Sequence, residues 1–193
     1  MVISTGSNKF KAAVFISGTG SNLKSLIKFS KTKKSPISIS LIITDNSKAK
    51  GLDFANIYKI KKKIFNFKDK KLAEKNILLE LKKNKIHIVC LAGFMIILSK
   101  SFIKNFKGKI LNIHPSLLPK YKGLNTHQRV IDNKEKYSGC TVHYVTSKLD
   151  SGKIILQTKV KITKKDNPKT LAKKILKQEH KLYPKALQKV FSL

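Results

Sequence analysis

The sequence predicts an α/β fold: a doubly wound, mostly parallel sheet flanked by helices, in one domain. Three observations predict it. Short apolar segments alternate with amphipathic ones along the whole chain, the pattern of strands joined by crossover helices. The stretch 86–92, "IHIVCLA", is apolar almost throughout, as a strand covered on both faces requires. Turn signals separate the segments at short intervals, with no repeat and no flexible linker.

The elements follow in order. Residues 12–17, "AAVFIS", form a first strand and "GTGSN" a turn. Residues 22–31 have helical spacing, with Leu23, Leu26 and Ile27 on one face. Pro36 precedes a second strand, "ISISLIIT", at 37–44. A short helix is expected over 50–58 and a brief strand over 64–67. Residues 69–83 make an amphipathic helix with Leu72, Ile77, Leu78 and Leu81 inward. The buried strand 86–92 follows, then a short helix near 99–106, a strand at 110–114 and a helix at 126–133. Two longer strands, 141–146 and 153–162, come without a helix between them, so this part of the sheet is expected to be antiparallel. A last helix opens at Asn167 or Pro168 and runs to about Lys189. The domain so defined spans 12–191, after a tail of eleven residues, 1–11.

Composition bounds the function. A chain of 193 residues with 41% hydrophobic content can bury a real core. No apolar run reaches the roughly 18 residues that a membrane span needs, and no membrane partner is expected. The N-terminus lacks a signal-peptide layout. Cys90 and Cys140 stand alone, without zinc or disulfide spacing, which points to a reducing cytoplasm and no metal. Forty-two basic against ten acidic residues give a net charge of +32. Every basic residue except Arg129 is lysine, and the lysines are spread over the chain. Base readout leans on the arginine fork, so specific nucleic-acid binding is not expected. Weak, salt-sensitive adhesion is.

Two local patterns carry chemistry. "SGTGSNL", 17–23, joins the first strand to the first helix. Its glycines permit a tight bend and close approach of a ligand, and the helix start at Ser21 and Asn22 favours a phosphate. The third glycine of a dinucleotide fingerprint and the Gly-Lys-Ser/Thr of a P-loop are both missing, so the turn suits a monophosphate. Taken alone, it is equally an ordinary capped turn. The second pattern is "NIHPSLLPKYKGLNTH", 112–127. Residues two apart on a strand share a face, so Asn112 and His114 project side by side while Ile113 points into the core. Two adjacent donors at a strand end suit an oxygen that becomes negative during reaction, and Pro115 and Pro119 stiffen the loop behind them. A histidine so used needs a carboxylate; Asp150, in the turn "LDSG", is the candidate. A structural histidine and a turn aspartate are the alternatives. His87 reads as structural in a buried strand, His143 is ambiguous, and His127 and His180 fall on helices.

Together these motifs resemble the folate-dependent formyltransferases. "ISGTGSNL", "LAGFMIILS", "LNIHPSLLPKYKGL", "TVHYVTSKLDSGKIILQ" and "QEHKLYP" occur in family order over nearly the whole chain. The resemblance implies a Rossmann-like formyltransferase fold. It implies transfer of formyl from 10-formyltetrahydrofolate, the co-substrate, to the amine of 5'-phosphoribosylglycinamide in purine synthesis, without a metal. Asn112, His114 and Asp150 match the catalytic trio. Gly20, Ser21 and Asn22 match the phosphate site, and Glu179 a residue that holds the glycinamide part. Met95, Ile96, Ile97 and Leu98 match the segment lining the folate pocket, with Lys70 where the family carries a basic residue approaching folate. The chain departs from the pattern at Ile96, a usual arginine, Lys122, a usual proline, and Asn125, a usual histidine. Methionyl-tRNA formyltransferases and formyltetrahydrofolate deformylases share parts of these motifs but usually carry an additional domain. A basic module that binds nucleic acid without catalysis is the alternative of another class.

Overall fold

The computed structural model describes residues 9–191. Seven strands form one sheet: β1 (Phe10–Ile16), β2 (Ile37–Thr44), β3 (Lys61–Ile64), β4 (Ile88–Leu91), β5 (Lys109–His114), β6 (Tyr137–Tyr144) and β7 (Ile154–Lys161). Their spatial order is β3-β2-β1-β4-β5-β6-β7. The first five run parallel, and β6 pairs antiparallel with both β5 and β7. The strand order reverses between β1 and β4, which makes their carboxyl ends the switch point where such sheets bind ligands.

Alternation along the strands divides the core. Ala12, Val14 and Ile16 of β1 face one layer, while Ala13 and Phe15 face the other. The first layer holds α1 (Ser21–Ser30), α2 (Leu52–Ile57), α5 (Thr126–Asp132) and α6 (Pro168–Phe191). The second holds α3 (Lys70–Lys83) and α4 (Lys100–Asn105). Tyr183 of α6 is fully buried, and its hydroxyl lies 3.1 Å from the carbonyl oxygens of both Leu91 and Leu111. It pins α6 across β4 and β5. Pro184 sits inside α6 and cannot bond the carbonyl of His180 one turn back. The Ser25 hydroxyl of α1 donates to that carbonyl at 2.9 Å instead, so the proline joins α6 to α1.

Several expectations need correction. The brief strand is Lys61–Ile64, not 64–67. As an edge strand exposed on both faces it carries lysines, which apolar patterning passes over. Leu72 is 53% exposed; Ala73 and Glu74 of α3 turn inward instead. The strand expected at 141–146 begins at Tyr137. His87 is exposed rather than buried, and its ring nitrogen accepts from the Lys11 N–H at 3.1 Å. The domain's first strand opens at Phe10, and residues 1–8 of the expected tail lie outside the described residues. Among the described residues, no helix is long and apolar enough to cross a membrane.

Candidate active site

Strand β5 ends in the Asn/His pair. Leu111 and Ile113 enter the α6-side core, so Asn112 and His114 point to the opposite side. Asp150 comes from the loop before β7 and holds φ +45. It brings the pair together. Its Oδ2 lies 3.4 Å from His114 Nδ1, and its Oδ1 accepts from Asn112 Nδ2 at 3.4 Å. All three line one cavity of about 690 Å³.

The loop after β5 aims backbone groups at this cluster. Thr141 Oγ1 donates to the Ser116 carbonyl at 2.7 Å and accepts from Leu118 N at 3.1 Å. Gln157 donates to the Leu118 carbonyl at 2.8 Å. Tyr121, held left-handed at φ +56, presents its carbonyl 2.8 Å from His114 Nε2. Gly123, at φ +77, donates its N–H to Asp150 Oδ2 at 2.9 Å. Arg129, the one arginine, donates to the Lys122 carbonyl at 2.7 Å and sits 5.4 Å over the Tyr121 ring. A proline at 122 would stiffen this loop; here Lys122 is tied by Arg129 and by its own bond to Ser151 at 2.6 Å. Asn125 holds the position before α5 in the left-handed region, which asparagine tolerates, without a side-chain bond to the helix.

Protonation follows from these partners. A carbonyl only accepts, so the contact with Tyr121 places a proton on His114 Nε2. Its Nδ1 faces the Asp150 carboxylate at 3.4 Å. Burial pushes the Asp150 carboxyl up. The contact with the His143 ring, the Gly123 N–H and the charge of His114 outweigh burial and hold the carboxyl below its ordinary value. His143 joins the cluster from β6. Its Nδ1 lies 2.9 Å from the Tyr144 carbonyl, and its Nε2 lies 3.2 Å from Asn112 Nδ2 and 3.6 Å from Asp150 Oδ1. The sequence left His143 ambiguous; its pairing opposite Asn112 across β5 and β6 places it here. His127 lines the same cavity, its ring pushed down by burial and by His114.

A second group stands on another wall. Asn22 Nδ2 donates to Glu179 Oε2 at 2.7 Å, and both residues are buried. Burial raises the Glu179 carboxyl against the lowering effect of that bond. Asn22 Oδ1 has no protein partner. Gly20 starts α1 at φ +71 with no side-chain cap, leaving first-turn N–H groups open. Gly20 and Ser21 precede Asn22 in this turn, but only Asn22 enters the cavity wall. Met95, Ile96, Ile97 and Leu98 line the apolar side. Lys70 is not brought to the cavity: it opens α3 with its side chain in solvent. Burial pushes the Cys90 and Cys140 thiols up to about 12, which leaves neither poised as a nucleophile. Among the described residues, no group of three or more His, Cys, Asp or Glu side chains could hold a metal ion.

A parallel-sheet switch point with an Asn/His/Asp cluster in its cleft defines a class, and the chain belongs to the formyl transferase family, whose profile matches residues 10–187. Within it, the chain is similar to the phosphoribosylglycinamide formyltransferase of Escherichia coli. The two are 37% identical over 174 residues, 89% of this chain and 82% of that protein. It is 42% identical over 187 residues to the human trifunctional purine biosynthetic protein adenosine-3, covering 95% of this chain but only 18% of that protein. Phosphoribosylglycinamide formyltransferase from Brucella melitensis superimposes with a TM-score of 0.90 at 44% identity, over 95% of this chain and 96% of that one. Glycinamide ribonucleotide transformylase 1 from Symbiobacterium toebii superimposes at 0.91 with 31% identity, over 97% and 90%.

Proposed function

We propose that the protein transfers a formyl group from 10-formyltetrahydrofolate to the amine of 5'-phosphoribosylglycinamide. The observation that carries this reading is the meeting of Asn112, His114 and Asp150 in one cavity. The chemistry needs those groups. The amine attacks the formyl carbon, and the carbonyl oxygen becomes an oxyanion. The new C–N bond forms, the bond to the folate nitrogen breaks, and one proton passes from the amine to that nitrogen.

The Asn112 amide and the His114 ring supply donors and positive charge for the oxyanion. The contacts at 3.2–3.4 Å from Asn112 Nδ2 and at 3.4 Å from His114 Nδ1 are long, so they are the ones exchanged for a substrate oxygen. The 2.8 Å bond to Tyr121 keeps the ring in place meanwhile. Asp150 keeps the ring protonated and can order a water that carries the proton. Glu179 and Asn22 take the glycinamide part, with the phosphate at the Gly20–Asn22 turn. The apolar wall of Met95, Ile96, Ile97 and Leu98 takes the folate ring system. Ile96 offers no guanidinium, so donor binding there depends on backbone groups and apolar contact. Holding both substrates in one cleft can contribute roughly 7–11 kcal/mol by orientation alone.

The test is a spectroscopic assay with a 10-formyl folate and the ribonucleotide, each also omitted in turn. Turnover that requires both supports transfer. Folate product without the ribonucleotide indicates a deformylase. A folded protein that shows no reaction yet retains nucleic acid in a salt-dependent way overturns the enzymatic reading.

A further inference from the structure

The apolar wall is a strap, residues 93–98, that leaves β4 and carries no regular secondary structure. Met95 and Ile97 on it are 61% and 58% exposed. Phe94 and Leu98 are buried in the core and anchor the strap at two points, so the outward-facing Met95 and Ile97 between them depend on backbone hydrogen bonds for their placement. Each end meets a serine that is itself tied to a carboxylate. At the far end, the Ser99 N–H donates to Glu74 Oε1 at 2.8 Å and its hydroxyl donates to Oε2 of the same buried carboxylate.

At the near end the serine comes from a different part of the chain. Ser17, just after β1, donates its N–H to the Gly93 carbonyl at 3.0 Å and accepts the Met95 N–H on Oγ at 2.9 Å. Its own proton goes to Asp45 Oδ1 at 2.5 Å. A hydroxyl has one proton and two lone pairs. With the proton drawn to a carboxylate, a lone pair is left facing Met95, and that acceptor is strengthened. Asn46 Nδ2 donates to the Ser17 carbonyl at 3.1 Å and fixes the residue from the other side. Ser17 does not line the cavity.

We infer that Ser17, oriented by Asp45, is a positioning residue that sets the strap for the larger, flatter co-substrate. It touches no reacting atom and acts through the Met95 amide. The kinetic part of the inference rests on the formyl-transfer reading; the structural part does not.

The test uses Ser17→Ala, Asp45→Asn and Ser17→Thr. Amide hydrogen exchange over residues 93–98 is followed in the substrate-free protein. Initial rates are measured with each substrate varied. Loss of one hydrogen bond is worth about a fivefold change. Ser17→Ala should speed exchange at Met95 about fivefold and raise KM for the 10-formyl folate by about the same factor; Asp45→Asn, whose amide oxygen still accepts the hydroxyl but more weakly, should move both readouts in the same direction by a smaller factor. Both kcat and KM for the ribonucleotide should stay within about twofold. Ser17→Thr, which keeps the hydroxyl, should restore both readouts. Unchanged exchange at Met95, or equal rises in the two KM values, overturns the inference. Should Ser17→Ala fail to fold, Asp45→Asn decides alone. Wild-type protein that lacks turnover overturns the formyl-transfer reading, and the exchange measurement still decides the role of Ser17.

Discussion

Asp150→Asn exchanges one side-chain oxygen for an NH2 group at the centre of the cluster. The backbone at 150 sits at φ +45, which asparagine adopts readily, so the fold is expected to persist. The Gly123 N–H needs an acceptor at 2.9 Å and will hold the remaining oxygen in the place of Oδ2. The new NH2 then faces Asn112 Nδ2, donor against donor, at the 3.4 Å now spanned by a hydrogen bond. The negative charge 3.4 Å from His114 Nδ1 is lost as well. At an effective dielectric constant of about 20, two unit charges at that distance attract by about 5 kcal/mol, which is a ceiling for the effect. Removal of one oxyanion donor lowers kcat by about a hundred- to a thousandfold, and the substitution disturbs both donors through one atom. The expected result is a kcat down by that factor, with each KM within a few-fold and an unchanged far-ultraviolet circular dichroism spectrum. The substrate-omission assay reads it. A variant within tenfold of wild type would refute the claim that Asp150 keeps His114 charged for catalysis.

Glu179→Gln keeps an acceptor for Asn22 but removes a carboxyl that burial has raised above 4.5. A raised carboxyl is most stable when protonated, so its destabilising effect appears as pH climbs through and beyond that ordinary value. The variant should melt a few degrees higher at pH 7, with the gap closing as pH falls towards 4, and should show a raised KM for the ribonucleotide. A lower melting temperature at pH 7 would contradict this sign. Gly20→Ala would set a Cβ 2.5 Å from Gly51 Cα at φ +71. A loss of roughly 1–3 kcal/mol in urea unfolding is expected, and an unchanged midpoint would show that the turn relaxes freely. With a net charge of +32, self-repulsion should weaken as salt rises from about 20 to about 500 mM, where the Debye length is about 4 Å. Melting temperature should climb by several degrees; a fall would mean that attractive ion pairs outweigh the repulsion.

Strands buried on both faces were legible, and β2 occupies its expected span, Ile37–Thr44. Edge strand β3 was not, because Lys61, Lys62 and Lys63 pair with β2 through backbone alone and show no apolar face. Gly139 obscured the start of β6. That strand approaches β7 so closely there that an added Cβ would lie 2.0 Å from the Thr158 carbonyl, which explains a glycine inside a strand. The Asn112/His114 pair was legible from two-residue spacing, and Asp150 from its turn. His143 was not, since its place depends on which residue pairs opposite Asn112, a register that no local pattern encodes. Lys70 shows the converse: a position carried over by resemblance stands in solvent, away from the cavity.

The hydrogen bond between Asn22 and Glu179 joins residues 157 positions apart. At about 5–20 residues per second, translation takes roughly 8–30 s to pass from one to the other. In the later part of that interval, once the strap has been made, β1, β4 and the strap can assemble while the cleft lacks the wall that α6 supplies. Ligand stabilises only a state able to bind it, so substrate cannot guard the growing chain from misfolding or proteolysis. Chains stalled ahead of α6 should gain no protease protection from the ribonucleotide, whereas chains that include it should. On the formyl-transfer reading, the ribonucleotide would thus protect the finished molecule alone, and early folding depends on the sheet's own hydrophobic pairing.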